Sequence, residues 1–486
     1  MKLRFKFLLF SFVILFILFV LGAANVEKKD TSPFIQSIKS ILPLNIKILL
    51  KKTVFSIPTL NRTTDRHETV IDELRMKVEE LSAKIELIDG PELLASEPYS
   101  IKSKSNVYNI RTFPIPFMLN YIYHKRMKAA AYLEQTNDEI VMASGSGEFF
   151  SFEKKDIGLD NLYLKRIKSN IKNLIKNEKF YSNRKASYTG IRDLLLLDNN
   201  IFFSFIKEQT DGCYNTSIMI AEFNSNYLNF SEFFSNKECL PDKNMQDYPS
   251  ELGELTLAHT GGRMVSFKNE KILFTTGDMG YKLLAQDENS IFGKIISIDL
   301  QSKDYEIISM GSRNAQGLYY DENRNIIIHT EHGPKGGDEI NINLNISKEE
   351  VKNFGWPISS YGIHYDGAER KEAPLHKSHS KHGFVEPIKY YVPSISITEI
   401  IKIPETFNKE FSNDFFVGAM GSYISDGDLS LHHIRFDKDF NKIEFEDIIP
   451  LYQRVRDLIF LEKQNVVVLI LENTPAIAFL KISNKN

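Results

Sequence analysis

Histidine and arginine stand beside small or polar residues in two clusters whose residue types suit chemistry on an alcohol. His259 is followed closely by two glycines and Arg263, and its pKa near neutrality suits proton abstraction. Arg313 supplies a fixed fork of donors for an oxyanion or a carboxylate, and the adjacent Asn314 adds an amide that both donates and accepts. Taken singly, the first cluster is also typical of an ordinary hydrogen-bonded histidine and the second of a solvated loop.

A third cluster is rich in small residues and carboxylates. The stretch from Glu331 to Asn341 contains consecutive small residues that expose backbone carbonyl oxygens. Such oxygens, together with nearby carboxylates, suit a hard cation such as Ca²⁺. On its own, a turn rich in glycine and aspartate would be weak evidence for a calcium site.

All three clusters lie at the ends of predicted strands, which is where loops on a rigid scaffold usually carry function. From about Ser103 onward, short apolar runs are broken by Gly, Asn and Asp, and six of these runs predict strand, turn and strand. These six paired runs are Glu139 to Phe152, Ile201 to Phe223, Lys271 to Leu300, Asn325 to Ile342, Asp414 to Phe436, and Asn465 to Ile482.

The six paired runs predict an antiparallel all-β domain over residues 103–486. A β-sandwich is possible, but the repetition of similar strand pairs favours a radial arrangement, with long loops between the strands. No G-x-G-x-x-G motif follows a strand, which disfavours a Rossmann domain that binds a nicotinamide cofactor.

The N-terminal region predicts a membrane attachment ahead of the β-domain. Lys2, Arg4 and Lys6 precede an apolar run from Phe7 to Ala24, which as a helix is about 27 Å long, close to the thickness of a bilayer core. Basic residues before the run favour an N-inside orientation. We therefore predict an inner-membrane signal anchor over residues 1–25, with the bulk of the protein facing the periplasm or the exterior. Secretion after cleavage of a signal peptide is the alternative.

Two further segments separate this anchor from the β-domain. Residues 26–65 show no firm periodicity and predict a polar stalk. Residues 66–90 predict a short coiled-coil helix and a parallel homodimer, because apolar residues recur at alternating spacings of three and four. These apolar residues are Ile71, Leu74, Val78, Leu81, Ile85 and Ile88. A single amphipathic helix packed against the β-domain is the alternative.

Charge and cysteine content narrow the possibilities further. The net charge of −3 gives no reason to expect nucleic acid as a partner. The two cysteines, Cys213 and Cys239, lie within one predicted strand unit, and an exported compartment permits a disulfide between them. Two inert buried thiols are the alternative, and two cysteines are too few for a cysteine-based zinc site.

Taken together, the motifs are far more specific than each is alone. The sequence from Arg313 through Gln316-Gly317-Leu318, Glu331-His332-Gly333-Pro334, Gly337 to Asn341, and Asn353 to Pro357 resembles the core signature of the pyrroloquinoline quinone (PQQ)-dependent glucose/sorbosone dehydrogenases in order and spacing. The resemblance is strong over residues 255–366 and extends more thinly from about Tyr188 to the C-terminus. It implies a six-bladed β-propeller that oxidises sugars with PQQ, and the six strand pairs agree with this fold.

The resemblance also implies catalytic roles. His259 occupies the place of the family's catalytic histidine, which takes the proton from a sugar hydroxyl while hydride passes to the quinone. Arg313 would hold the reacting oxygens, and Asn314 would contact the cofactor.

The same resemblance implies how PQQ and calcium would be held. The backbone carbonyls of Gly333 and Pro334 correspond to ligands of the Ca²⁺ that polarises PQQ. Arg454 and Arg456 resemble the family's paired arginines; residues two apart on a strand face the same side, so both guanidiniums could bind the carboxylates of PQQ. A charge pair on an edge strand is the alternative interpretation of these arginines.

The sequence departs from the family pattern at three positions. Gly421 stands where the family usually has a lysine that adds positive charge to the cofactor site, and Tyr188 stands where glucose-oxidising members have a glutamine. Ala258 offers no carboxylate directly before the histidine. These differences predict PQQ binding that is weaker, altered in geometry or absent.

We therefore predict a PQQ- and calcium-dependent aldose dehydrogenase that passes electrons to an unidentified acceptor. The alternative is a non-catalytic propeller that binds a glycan or a protein partner and is clustered by its coiled coil. A metal-dependent lactone hydrolase is less favoured, because no cluster of side-chain metal ligands is evident. We expect His259, Arg313, Arg454 and Arg456 to meet in one cavity, with the long loop from Tyr361 to Tyr391 controlling access.

Overall fold

Short strands, nearly all of them paired antiparallel, make up about half of the part of the chain that a computed structural model describes. This part comprises residues 90–115, 130–176, 180, 190–210, 212–242, 255–268, 270–347, 350–409, 411, 413–422 and 427–483. In chain order, the strands are β1 (Glu92–Leu94), β2 (Tyr99–Lys102), β3 (Val107–Pro114), β4 (Ala131–Gln135), β5 (Glu139–Ser144), β6 (Phe149–Glu153), β7 (Asn161–Tyr163), β8 (Lys165–Ser169), β9 (Ile191–Leu197), β10 (Asn200–Thr210), β11 (Cys213–Glu222), β12 (Tyr227–Leu228), β13 (Ser231–Ser235), β14 (Leu240–Pro241), β15 (Gly261–Phe267), β16 (Lys271–Thr276), β17 (Lys294–Asp299), β18 (Tyr305–Met310), β19 (Ala315–Asp321), β20 (Ile326–Glu331), β21 (Asp338–Asn343), β22 (Lys352–Asn353), β23 (Lys389–Tyr391), β24 (Ile397–Ile403), β25 (Asp414–Ala419), β26 (Leu431–Phe436), β27 (Ile443–Ile449), β28 (Val455–Leu461), β29 (Val466–Leu471) and β30 (Ala476–Ile482). Helical structure in these ranges comprises α1 (Ile171–Leu174), Phe180 and 3-10 turns at Lys154–Asp156, Lys282–Gln286 and Ser380–His382.

All of these strands except β1 and β7 form six sheets, and we call each of these six sheets a blade. From the innermost strand outward, blade 1 is β4-β5-β6-β8-β12, blade 2 is β9-β10-β11-β13 with β14 also on β11, blade 3 is β15-β16-β17-β18-β22, blade 4 is β19-β20-β21-β23, blade 5 is β24-β25-β26-β27, and blade 6 is β28-β29-β30-β3-β2. Strands β1 and β7 form a separate two-stranded ribbon. Each innermost strand contacts the innermost strands of the two adjacent blades, so the blades close into a ring. The protein is a six-bladed β-propeller, as expected, and the ring excludes the β-sandwich.

Blade 6 joins the two ends of the described chain. Strand β3 pairs with β30 over its length, for example Ile110 with Leu480, and β2 extends the sheet outward. The β-structure therefore includes β1 and β2, which precede Ser103, where we expected it to start. This pairing completes the ring with strands from both ends.

Each of the six paired runs in the sequence falls in a different blade and corresponds to its second and third strands, with the last run covering β29 and β30. These strands are buried on both faces because every blade is packed between two others. The apolar side chains form clusters between adjacent blades; between blades 1 and 2, for example, Phe149 packs against Phe203 with ring centroids 5.9 Å apart. Full burial of one such side chain contributes about 1.5–3 kcal/mol, so the blade faces supply most of the hydrophobic stabilisation.

A disulfide connects two segments of blade 2. Cys213 begins β11 and Cys239 directly precedes β14, with Cα atoms 5.5 Å apart. Strand β14 pairs with β11 at this point, so the bond fastens the outer part of the blade.

Several sequence predictions concern residues outside the described ranges. These are the N-terminal span over residues 1–25, the stalk over 26–65, nearly all of the coiled coil over 66–90, and Tyr188. In the part of the chain that the structure describes, no helix is long and apolar enough to span a membrane.

Candidate active site

The predicted site residues lie at the end of the ring where the innermost strands begin, which we call the mouth. His259 stands two residues before β15, Arg313 and Asn314 directly precede β19, and Arg454 directly precedes β28. The loops that follow β20 and β29 reach the same end, because Ala315 pairs with Glu331 and Val455 pairs with Leu471. Loops far apart in sequence therefore converge at the mouth.

His259 lies between a guanidinium and a carboxylate. Its Nε2 is 2.8 Å from Nη2 of Arg313, and its Nδ1 is 3.3 Å from Oδ1 of Asp278. An arginine nitrogen can only donate, so Nε2 is the acceptor and the ring proton belongs on Nδ1, facing Asp278. Burial and the charge of Arg313 lower the pKa of His259, against an opposing effect of Asp278. The ring is therefore neutral at pH 7, and its basic nitrogen, Nε2, accepts from Arg313.

Asp278 supplies the carboxylate that Ala258 does not offer. Its buried side chain accepts hydrogen bonds from Nε1 of Trp356 and from the backbone N–H of Gly280, both at 2.8 Å. Burial alone would raise the pKa of Asp278, but the hydrogen bond with His259 and the charge of Arg313 outweigh it and lower the pKa. Asp278 therefore stays ionised and orients His259. In the sequence, only its position at the end of a strand near the histidine could have indicated this role.

The Arg313 guanidinium is held from several directions. Its Nη1 donates to the carbonyl oxygen of His332 at 2.8 Å, and its plane lies 5.5 Å from the ring of Trp356. Its backbone N–H donates to Oε1 of Glu331 at 2.5 Å. Few orientations remain for this side chain, so its donors point at a fixed place beside His259.

His332 is close to both Arg313 and Arg456. Its Nε2 donates to the carbonyl oxygen of Ile397 at 2.6 Å. Burial lowers the pKa of His332 to about 3, and the charges of Arg313 and Arg456 contribute. Both guanidiniums are thus close enough to affect one imidazole, and the structure brings Arg456 to the same mouth as Arg313.

Asn314 links the innermost strands β15 and β19 by hydrogen bonds. Its Oδ1 accepts the backbone N–H of Gly261 at 3.1 Å and Nε2 of Gln316 at 3.0 Å. Because both hydrogen bonds use the oxygen, the amide nitrogen is the part of Asn314 that could contact a ligand.

Arg454 and Arg456 face the same side, as their spacing predicts. The Nε of Arg454 donates to Oε2 of Glu472 at 2.8 Å, and the Nε of Arg456 donates to Oε1 at 2.5 Å. Glu472 is buried, which raises its pKa, but the two guanidiniums more than offset this and lower it. One carboxylate therefore orients both arginines through their Nε atoms; Nη1 of Arg454 also donates to the carbonyl oxygen of Gly421, and the other terminal N–H groups can donate to a ligand. Sequence reasoning did not identify Glu472.

Comparison with known proteins assigns the family. The model of the family described as glucose/sorbosone dehydrogenase matches residues 196–478. The chain belongs to the glucose/sorbosone dehydrogenase family.

Individual relatives match shorter regions. Aldose sugar dehydrogenase YliI of Escherichia coli is 28% identical over 193 residues, which are 37% of this chain and 49% of that protein. Quinoprotein glucose dehydrogenase B of Acinetobacter calcoaceticus is 29% identical over 129 residues, which are 20% of this chain and 26% of that protein. The chain thus spans about half the length, or less, of these curated relatives. The crystal structure of the soluble aldose sugar dehydrogenase of E. coli in its apo-form has a TM-score of 0.56 at 18% identity, covering 80% of this chain and all of that one; this likeness shows the fold.

The position of the usual lysine of the glucose/sorbosone dehydrogenases is blocked by an acid. A Cβ atom built on Gly421 would lie 1.9 Å from Oδ2 of Asp428. Asp428 is buried and accepts the backbone N–H of Ser422 at 2.6 Å, and the Gly421 carbonyl lies 3.3 Å from Nη1 of Arg454. Asp428 therefore occupies the space that a longer side chain at position 421 would need.

The carbonyl groups expected to bind calcium in this family also lie near the mouth. Gly333 and Pro334 follow β20 and are buried. Among the described residues, no N–H or O–H donates to either carbonyl oxygen, although buried carbonyl groups nearly always have a partner. A cation on these oxygens would satisfy them. No group of three or more acidic, histidine or cysteine side chains in the described ranges forms a metal site.

Most of the predicted site residues thus come together and one pair does not. His259, Arg313, Asn314 and the two late arginines lie at the mouth, with Gly333 and Pro334 on the loop beside them. The disulfide between Cys213 and Cys239 lies in the outer part of blade 2.

Proposed function

We propose that this protein oxidises an aldose sugar with PQQ and Ca²⁺ at the mouth of the propeller. The observation that carries the proposal is the placement of a neutral histidine between Asp278 and Arg313. A base, a carboxylate that orients it and a fixed cation beside it are the groups that removal of a proton from an alcohol needs. The names of the relatives, an aldose sugar dehydrogenase and a quinoprotein glucose dehydrogenase, support the same reaction.

In this mechanism, His259 accepts the hydroxyl proton of the sugar on Nε2. Asp278 holds the Nδ1 proton and stabilises the imidazolium that forms. Arg313 donates to the sugar oxygen on which negative charge develops, taking the place of its present hydrogen bond to His259. When bound, PQQ would accept the hydride that leaves the carbon carrying this hydroxyl group. The sugar thereby loses one proton and one hydride and becomes a lactone.

The remaining residues of the mouth would hold the cofactor. The terminal nitrogens of Arg454 and Arg456 suit carboxylates of a planar anionic quinone, since Glu472 engages only their Nε atoms. The amide of Asn314 would donate to the same ligand. The carbonyl oxygens of Gly333 and Pro334 suit Ca²⁺, which prefers oxygen ligands.

Asp428 favours a second candidate function, in which the propeller binds a glycan or a partner without turnover. This carboxylate fills the space beside Gly421 and brings negative charge where the family usually has a lysine. A site that lacks this cation would bind PQQ less tightly.

Export, membrane anchoring through residues 1–25 and dimerisation through residues 66–90 are further proposals from the sequence. The disulfide between Cys213 and Cys239 supports an oxidising compartment. Fractionation of cells that express the full chain, with and without alkali extraction, tests anchoring; light scattering of the purified protein tests dimerisation.

Addition of PQQ to the purified full-length protein tests the function. We expect PQQ to bind when Ca²⁺ is present and to bind far less after chelation by EDTA, followed by reduction of a dye in the presence of one or more aldoses. The double variant Arg454→Gln/Arg456→Gln should lose PQQ binding, whereas Arg166→Gln on blade 1 should not. Absence of both PQQ binding and dye reduction in the wild-type protein would contradict the proposal and favour the binding module.

A further inference from the structure

A single guanidinium stands at the axis of the ring, below the mouth. Arg263 on β15 is almost fully buried, with 4% of its side chain exposed. Its Nη1 lies 2.9 Å from Asp193, 2.9 Å from Glu399 and 2.7 Å from Asp457. These carboxylates come from the innermost strands of blades 2, 5 and 6. We call Arg263 and the three carboxylates the axial hub.

Arg263 also reaches the two blades that supply no carboxylate to the hub. Its Nε donates to the carbonyl oxygen of Gln316 on blade 4 at 2.7 Å, and its guanidinium lies 5.2 Å from the ring of Tyr132 on blade 1. Its Nη2 donates to the carbonyl oxygen of Arg456 at 3.2 Å. One side chain from blade 3 therefore contacts all five other blades.

The three carboxylates extend these connections to backbone N–H groups of neighbouring blades. Asp457 accepts from Leu133 on blade 1 at 2.7 Å, and Asp193 accepts from Met264 on blade 3 at 2.6 Å. Glu399 similarly accepts from Leu318 on blade 4 at 3.2 Å. These hydrogen bonds therefore fix the positions of neighbouring innermost strands relative to each other along the axis of the ring.

Two of these connections lead directly to residues of the mouth. Gln316, whose carbonyl accepts from Arg263, donates its side-chain amide to Asn314 at 3.0 Å. Arg456, whose carbonyl also accepts from Arg263, is one of the two arginines on Glu472. The rigid guanidinium of Arg263 thus binds both the backbone near Asn314 and the backbone of Arg456.

We infer that Arg263 is a positioning residue for the mouth: its guanidinium holds Asn314 and Arg456, which lie on different blades, in the relative placement that ligand binding requires. Arg263 acts through these two residues and through the strands that carry them. The part of the inference that concerns PQQ rests on the proposed function; the part that concerns the backbone does not.

Geometry rather than charge should matter most, which makes lysine the informative replacement. Lysine retains a positive charge for the three carboxylates, but it lacks the planar fork that reaches Gln316 and Arg456 simultaneously. Arg435→Lys is the matched control, because Arg435 on blade 5 binds the buried Asp414 of the same blade with Nε at 2.6 Å and Nη2 at 3.0 Å.

The experiment measures hydrogen–deuterium exchange and PQQ affinity in the full-length protein with Arg263→Lys, Arg263→Met or Arg435→Lys. For Arg263→Lys, we expect faster exchange in peptides covering 313–318 and 454–458 and an approximately tenfold weaker PQQ affinity, as for loss of aligned hydrogen bonds. Arg435→Lys should change neither. Arg263→Met leaves three buried carboxylates without a cation; if it does not fold, Arg263→Lys decides.

Two results would overturn the inference. One is a folded Arg263→Lys variant with wild-type exchange in both segments. The other is faster exchange with unchanged PQQ affinity, which would make Arg263 structural only. If the wild-type protein binds no PQQ, the proposed function fails, and exchange alone then decides whether Arg263 holds the two segments.

Discussion

The mouth and the axial hub use the same residue types in opposite proportions. At the mouth, Arg454 and Arg456 share the single carboxylate of Glu472, whereas at the hub three carboxylates share the single guanidinium of Arg263. Excess donors suit an anionic ligand. Excess carboxylates in a sealed place instead require protons to be retained, since burial raises the pKa of Asp193 to about 7. The comparison shows that one ring places an excess of guanidiniums at its mouth and an excess of carboxylates at its axis, a few residues apart on the same innermost strands.

Replacement of His259 should give the largest effect and would show that the mouth is the place of chemistry. His259→Ala removes the base, so we expect dye reduction to fall by about 10²–10⁴-fold while PQQ stays bound. Steady-state kinetics and a PQQ titration measure the two quantities. His382→Ala, at an exposed histidine, is the control. Undiminished turnover of His259→Ala would remove this residue from the mechanism.

Replacement of Asp278 tests whether a carboxylate at the mouth serves the base. Asp278 raises the pKa of His259 in opposition to burial and Arg313, so Asp278→Asn should lower that pKa. Because the neutral ring is the active form, the acid limb of the profile of kcat/KM against pH should move to lower pH, with a rate about tenfold to a hundredfold lower. Asp366→Asn, at an exposed ion pair with Arg370, should leave the profile in place. An acid limb that moves to higher pH would contradict the role of Asp278.

Restoring the missing lysine should strengthen the cationic character of the mouth. Gly421→Lys alone clashes with Asp428, so we combine it with Asp428→Gly. We expect the double variant to bind PQQ about tenfold more tightly, as for one added charge-assisted hydrogen bond, measured by titration at fixed Ca²⁺. Asp428→Gly alone is the control. Equal PQQ affinity of the control and the double variant would show that a side chain at position 421 does not face the cofactor.

The smallest effect concerns the hub and the dependence of stability on pH. Burial raises the pKa of Glu399, as it does for Asp193, while Arg263 lowers it only in part. The other titratable or charged groups around the hub are Tyr132, Asp457 and Arg456, which interact with Arg263, and Glu134, which interacts with Asp193 and Asp457. Between about pH 4 and pH 8, these two carboxyl groups then bind more protons in the folded chain than in the unfolded chain, so their contribution to stability falls as pH rises through that range.

Glu399→Gln removes one titrating group and should make this fall shallower by up to about 1.4 kcal/mol for each pH unit between pH 5 and 8, in addition to a constant cost. Urea denaturation at several pH values measures it. In the control Glu446→Gln, the lost carboxyl has a pKa that His432 and Lys389 lower to about 2 despite burial, so its effect should be constant over the same range. A fall with pH as steep as in the wild-type protein would mean that Glu399 is ionised throughout.

The sequence predicted the strands best where both faces of a strand are apolar, and it predicted the site best where several motif residues stand close together. The second and third strands of every blade were predicted because runs such as Val466–Leu471 are continuously apolar. The innermost strands were not, because residues such as Arg263 and Asp457 face the axis and interrupt the pattern. Polar residues in a strand usually indicate solvent, and only the closed ring makes them buried.

The candidate site was predictable to the extent that its residues belong to motifs. His259, Arg313 and the paired arginines stand in recognisable strings, but Asp278 and Glu472 are single acids at strand ends. Their roles depend on contacts far apart in sequence, such as that of Asp278 with Trp356. Such pairs are fixed by the order of the blades, which no local pattern contains.

The pairing of β3 with β30 constrains how the protein is made. Pro114 and Ala476 are register partners, so the ring stays open until the ribosome has synthesised β30, more than 300 residues after β3. Until then, β3 presents an unpaired edge of the kind that promotes aggregation, and the nascent chain needs protection. A premature stop codon ahead of Ala476 would leave the same edge of β3 exposed permanently.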